Sequence, residues 1–196
     1  MAKPALVPAV SEPRAENRRE ELLLAAARLF ARHGFESTSM RDIAREVGML
    51  AGSMSYHFPS KEELVAACHA RGVAQIIEAV ERAVADVGEP WARLEAACVA
   101  HLEALLGDTV FAAVVLQDFS RVTPELRARL IAQRDEYERL FARLVDVVPL
   151  RRDRDRGLLR LMMLGALNWT PTWYRQGGAS PREIARSFVA MLRERV

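Results

Sequence analysis

A chain of 196 residues is long for one domain and short for two, at roughly 100–200 residues per domain. Hydrophobic residues make up 51% and charged residues 28%, which excludes a disordered chain and fits a soluble protein with a buried core. The 28 basic and 26 acidic side chains leave a net charge of +2, too small an excess to argue for or against nucleic acid until the charges are located.

Residues 1–14 carry Pro4, Pro8 and Pro13 and no helical period, and read as a flexible tail. Beyond them nearly every segment has helical periodicity, and no run alternates as a half-buried strand does. The first helix is expected over about 15–33, with Leu22, Ala26, Leu29 and Phe30 on one face and Gly34 as its stop. Two short helices follow, at about 39–47 and 51–57, separated by Gly48. Ser60-Lys61-Glu62-Glu63 is a capping box that opens a long helix reaching Val87. Helices at about 90–105 and 108–120 come next. Thr123 with Pro124 then starts another, its buried stripe running through Leu126, Leu130, Tyr137, Leu140 and Leu144. A helix at about 155–175 and a last one after the capping box Ser180-Pro181-Arg182-Glu183 complete an all-α chain of nine helices. The natural division is a small head at 15–60 and a larger helical body at 61–196.

Cys68 and Cys98 have no metal-ligand spacing and read as buried thiols in a reduced compartment. The uncharged stretch at 161–174 is shorter than the roughly 20 apolar residues of a membrane helix. With no export signal at the start either, a soluble cytoplasmic protein without membrane contact is expected. His33, His57, His69 and His101 are scattered without metal logic and read as surface or structural histidines. No phosphate loop, GxSxG or HExxH occurs, so neither catalytic residues nor a metal or cofactor are expected.

Residues 39–58 have the layout of a helix-turn-helix. Met40, Ile43, Ala44 and Val47 supply an apolar face, and Gly48 permits the positive φ that lets two helices cross over a few residues. In such a motif the second helix enters the major groove. Ala51, Gly52, Ser53 and Ser55 are small enough for close backbone approach, and Tyr56, His57 and Arg41 offer contacts to bases or phosphates. Lys61 and, further back, Lys3, Arg14, Arg18 and Arg19 extend the candidate backbone contacts. Residues 1–61 hold nine Lys or Arg against seven Asp or Glu, so placement rather than bulk charge must carry affinity. From pattern alone, a DNA reader and a plain packing module both fit.

The segment RREELLLAAARLFARHGFESTSMRDIAREVGMLAGSMSYHFPSKEEL resembles the DNA-binding domain of the TetR family of bacterial regulators. The likeness runs through Ala26, Leu29-Phe30, Gly34-Phe35, Thr38-Ser39, Ile43-Ala44, Gly48, Gly52, His57-Phe58 and Ser60-Lys61-Glu62. It implies a homodimer on a palindromic double-stranded DNA operator, released by a small-molecule effector bound in the C-terminal domain. By position it implicates Ser39, Arg41, Ala51, Gly52, Ser53, Ser55, Tyr56, His57 and Lys61 in DNA contact. Two residues depart from the family pattern: Leu50 stands where a capping serine or threonine is usual, and Ser55 where tyrosine is usual.

The body carries no such motif. RGLLRLMMLGALNWTPTWYR is apolar nearly all round and must be covered on several sides. Gly165 and Ala166 permit close helix approach, and Phe188 and Leu192 add apolar surface, so these four are the candidate dimer interface. For a ligand pocket, Phe111, Val115, Phe119, Met162 and Met163 supply apolar lining, with Gln117 and Asn168 as isolated polar groups. A core stripe is the competing reading. LNWTPTWYRQGG resembles TetR-family repressors that respond to acyl-CoA thioesters, which adds Trp169, Trp173 and Arg175 to the candidates, the arginine as a partner for phosphates. The alternatives to a repressor are a helical enzyme or an interaction module that uses the C-terminal cavity without DNA.

Overall fold

The computed structural model describes residues 12–107 and 109–195, and among these every regular element is helical. α1 (Glu12–His33), α2 (Met40–Glu46) and α3 (Ala51–Met54) form the head. α4 (Lys61–Val84), α5 (Pro90–Leu106), α6 (Val110–Val115), α7 (Pro124–Asp146), α8 (Arg156–Trp173) and α9 (Pro181–Arg195) form the body. α1 begins three residues earlier than periodicity sets it, and the remaining residues of the expected tail, 1–11, lie outside the described residues.

Local chemistry explains most boundaries. Gly34 and Gly48 have φ of 78° and 65°, the left-handed turns that end α1 and α2. Ser39 caps α2: its hydroxyl accepts the Asp42 N–H, and the Asp42 carboxylate accepts the Ser39 N–H. The same reciprocal pair joins Ser180 and Glu183 at the start of α9. Ser60, Glu89, Thr123 and Asp155 each accept a backbone N–H at the start of their helices. At the other end of α7, Arg156 adds side-chain bonds to the carbonyls of Val145 and, just beyond the helix, Val148.

α3 and α6 are shorter than predicted, and α4 ends at Val84 rather than reaching Val87. α3 stops at Met54, because buried Met54 and Phe58 pull the chain back onto the head's core through the His57 and Phe58 N–H bonds to the Met54 carbonyl. α6 stops at Val115. Beyond it the Asp118 carboxylate accepts the Ser120 N–H and hydroxyl, a local turn that competes with helix.

The apolar side chains form two cores. One gathers Leu22, Ala26, Phe30, Ile43, Met54 and Phe58 with Leu64 and Val65 of α4, Phe111 and Val114 of α6, and Leu126 and Leu130 of α7. The other fills the body between α4, α5, α7, α8 and α9, around Ile76, Leu94, Leu102, Phe141, Leu167 and Ala185. The head's core therefore runs past residue 60 and is shared with α4, α6 and α7.

The contact between α4 and α6 is tightest at Gly72. A Cβ there would sit 2.6 Å from Val115 Cγ2 and 2.7 Å from the Phe111 carbonyl oxygen. Alanine gains about 1 kcal/mol in helix propensity over glycine. A backbone oxygen cannot swing aside, however, so Gly72→Ala should still destabilise the protein by about 1–3 kcal/mol. Urea unfolding monitored by circular dichroism checks this; an unchanged or raised midpoint means the two helices separate at no cost.

Candidate functional site

The head presents its short helices as sequence reasoning expects. Arg41, Gly52, Ser53, Ser55 and Tyr56 are exposed, and His57 is half-buried with its ring edge-on to Tyr56 at 5.3 Å. Tyr56 is 85% exposed, an orientation with no role in either core. Lys3 lies outside the described residues, as do the side chains of Arg14 and Ala51. Neighbouring charges are engaged differently: Arg45 pairs with Asp42 at 2.7 Å, Arg18 pairs with Glu21, and Arg19 lies 4.7 Å over the Phe58 ring. Arg41 thus stands as an exposed cation beside a paired one.

Two of the candidate DNA contacts already serve the fold. The Ser39 hydroxyl is held in the α2 cap, donating to Asp42 at 2.6 Å, and this bond holds the Asp42 carboxyl below its ordinary range. Lys61 donates from Nζ to the Phe35 carbonyl at 2.8 Å and lies 4.1 Å above the Phe35 ring. That ammonium keeps further N–H groups, so it can bridge the head to a phosphate. At the start of α3, Leu50 occupies the N-cap without a side-chain bond. Losing a capping oxygen costs about 1 kcal/mol in a typical helix.

The candidate ligand residues fall into four places. Val115, Gln117 and Phe119 line one groove of about 270 Å³ with His69 of α4 and Arg127, Leu130, Ile131 and Arg134 of α7. Phe111 is buried in the head's core, and Met163 in the body's core, with the Cys98 thiol 3.5 Å from its sulfur. Met162, Trp169 and Trp173 are exposed on α8, and Arg175 is exposed beyond its end. Asn168 also lies on α8, mostly exposed, with its side chain acting on His101.

The groove is wired to the head. Gln117 donates its amide to the Phe30 carbonyl of α1, and the Phe119 ring meets Phe35 edge-on at 6.5 Å and His69 at 6.2 Å. His69 donates from Nδ1 to the Gln133 side-chain oxygen at 2.6 Å, and burial lowers its pKa. Sequence reasoning missed His69 and both arginines as groove residues. They come from helices more than 50 positions apart, a proximity that no periodicity reveals.

α8 has two faces. Leu159, Met163, Leu164, Leu167 and Thr170 are buried, while Leu158, Leu161, Met162, Trp169 and Trp173 are exposed together with Met191 of α9. The positions 158, 162, 165 and 169 recur at helical spacing, and Gly165 has open space where a Cβ would be. Ala166, Phe188 and Leu192 are half-buried, the latter two packed on the body's own core. No helix among the described residues is long and apolar enough to cross a membrane.

Comparison with known proteins gives these surfaces a context. Residues 22–68 match the family described as bacterial regulatory proteins, tetR family, and residues 87–196 match the tetracyclin repressor-like C-terminal domain. The HTH-type transcriptional repressor KstR2 of Mycobacterium tuberculosis (strain ATCC 25618 / H37Rv) is 30% identical over 185 residues, 90% of this chain and 91% of that protein. Among solved structures, the superantigen PfiT aligns with a TM-score of 0.78 at 30% identity, over 90% of this chain and 96% of that one. AibR in complex with isovaleryl coenzyme A and operator DNA aligns with a TM-score of 0.78 at 27% identity, over 89% of this chain and 97% of that one. With head and body both matched, and a relative aligned almost end to end, the chain belongs to the TetR family of bacterial regulators.

Proposed function

We propose that this chain is a dimeric transcriptional repressor that binds a palindromic operator through α2 and α3 and leaves it when an acyl-CoA thioester binds the body. The observation that carries the reading is the family match over 22–68, coinciding with a head whose exposed residues include Arg41, Gly52, Ser53, Ser55 and Tyr56. A second copy docked on the exposed face of α8 sets two reading heads a fixed distance apart, as a two-fold operator requires. The protein works in the cytoplasm, where its operator lies, and no chemistry is assigned to it.

The effector class is supported by AibR, whose structure holds isovaleryl coenzyme A. The groove between α4, the α6–α7 loop and α7 suits the acyl end of such a ligand, against Val115, Phe119, Leu130 and Ile131. Its 270 Å³ is just below the ~300–1,000 Å³ of typical small-molecule sites, so the nucleotide portion stays outside, toward Arg127 and Arg134. Ligand that displaces Gln117 or Phe119 acts directly on α1 and Phe35, which gives the groove a route to the DNA-binding head.

The test is a titration of the purified chain against duplex DNA from its own upstream region. Binding should weaken steeply between about 50 and 200 mM salt. The double variant Arg41→Ala/Tyr56→Ala should lose at least about 10-fold, the value of one good contact at each half-site. Isovaleryl-CoA should release the DNA where isovalerate and free CoA do not. Binding that ignores both salt and the double substitution refutes the operator reading; release by none of the three ligands refutes the effector class.

A further inference from the structure

Leu50 is 80% exposed at the first turn of α3, where a capping residue is expected. Its backbone does the cap's work: φ and ψ are extended at −72° and 136°, and its carbonyl accepts the Ser53 N–H at 2.9 Å. The side chain does none of it. It makes no cap bond and packs into neither core. Its surroundings are small and polar: Gly52, with open space where a Cβ would be, then exposed Ser53 and Ser55. Leu50 is thus a large aliphatic group exposed at the start of the segment, and both the helix start and solvation disfavour it there.

We propose that Leu50 is a base-reading residue whose isobutyl group meets a thymine C5 methyl in the operator's major groove. The inference rests on the reading that α3 enters that groove. Residues at the start of a recognition helix contact base edges, and the thymine methyl is the apolar feature that unmodified bases display there. Serine or threonine at this position would begin the helix more firmly but would leave that methyl without an apolar partner.

The experiment starts from a randomised duplex library, from which the purified full-length chain selects its own binding sequence. The selected duplex is then titrated at fixed salt, with each thymine replaced in turn by uracil, which lacks only the methyl. Wild type should lose about 4-fold at one thymine per half-site, the effect of one methyl-sized apolar contact. Replacing both symmetry-related thymines should cost about 15-fold, the product of the two. Leu50→Ala and Leu50→Ser should bind the duplex more weakly and show no loss at that thymine. The serine variant matters because it restores a cap, so a merely structural Leu50 predicts that it binds at least as tightly as wild type and keeps the thymine sensitivity. That result, or a uracil profile shared by wild type and both variants, overturns the proposal while the repressor reading stands. Failure to enrich any duplex overturns both.

Discussion

Replacing Met162 and Trp169 with glutamate should leave the chain folded but monomeric, and should weaken operator binding by on the order of 100-fold or more. Both side chains are more than half exposed on α8, and each sits on the face that also carries Leu158, Leu161 and Gly165. An apolar face of this size is unusual on the surface of a soluble monomer. A tryptophan 66% exposed is especially unfavourable in water, since a buried tryptophan removes roughly 150–250 Å² from solvent. A two-fold interface buries the same face on both copies, so two glutamates per chain bring four carboxylates into one apolar patch. Loss of the dimer converts one bivalent operator contact into two independent weak ones, and avidity of 10²- to 10⁴-fold is lost with it. Gly165→Arg offers a second approach. Open space surrounds that position in a single chain, so the side chain is tolerated there but obstructs a docked helix. Light scattering gives the oligomeric state, circular dichroism the fold, and duplex titration the affinity. A dimer that persists in both variants places the subunit contact elsewhere.

The residues that terminate and cap helices were readable from sequence because their causes are local. Gly34 and Gly48 adopt the left-handed turns their positions call for, and Ser60, Thr123 and Ser180 cap the helices they precede. The near-uniform hydrophobicity of α8 was equally informative: one apolar face is buried and the other is exposed. Composition does not resolve which residue takes which face. Met162 and Met163 are adjacent, about 100° apart around the helix, and one is exposed while the other is buried. Grouping them in one pocket therefore joined two sides of the same helix. The groove itself depended on tertiary contacts. Gln117 was recognisable as an isolated polar residue, yet its bond to Phe30 spans 87 positions, and His69 joins it from α4. His101 illustrates the same limit. Its burial follows from α5 packing on α7, which brings it to Tyr137.

Stability should fall by about 3 kcal/mol as pH drops from 6.5 to 4, with His101 as the main source. The ring is 1% exposed, stacks on Tyr137 at 5.5 Å and meets Phe141 edge-on at 6.0 Å. Tyr137 bonds its Nδ1, whereas Nε2 is buried without a partner of good hydrogen-bond geometry. Burial lowers the pKa from 6.5 to about 4, against a smaller upward pull from the Asn168 side chain. The unfolded chain therefore takes up a proton near pH 6.5 that the folded chain refuses until about pH 4. The His101 contribution is complete above pH 6.5, declines through this interval and is gone below pH 4. His69, also lowered by burial, acts in the same direction. The capping carboxylates of Asp42, Glu89 and Glu183 are lowered too, but they protonate below the ordinary carboxylate range and so act at more acid pH. His101→Phe alone would leave the Tyr137 hydroxyl without its partner. The double variant His101→Phe/Tyr137→Phe keeps the aromatic packing and removes both ring nitrogens together with the hydroxyl. Urea unfolding at pH 7, 6, 5 and 4 should show a steep loss in wild type and a much flatter profile in the double variant. Equal slopes would mean that His101 takes up its proton at the same pH in the folded as in the unfolded chain, so that the fold does not lower its pKa.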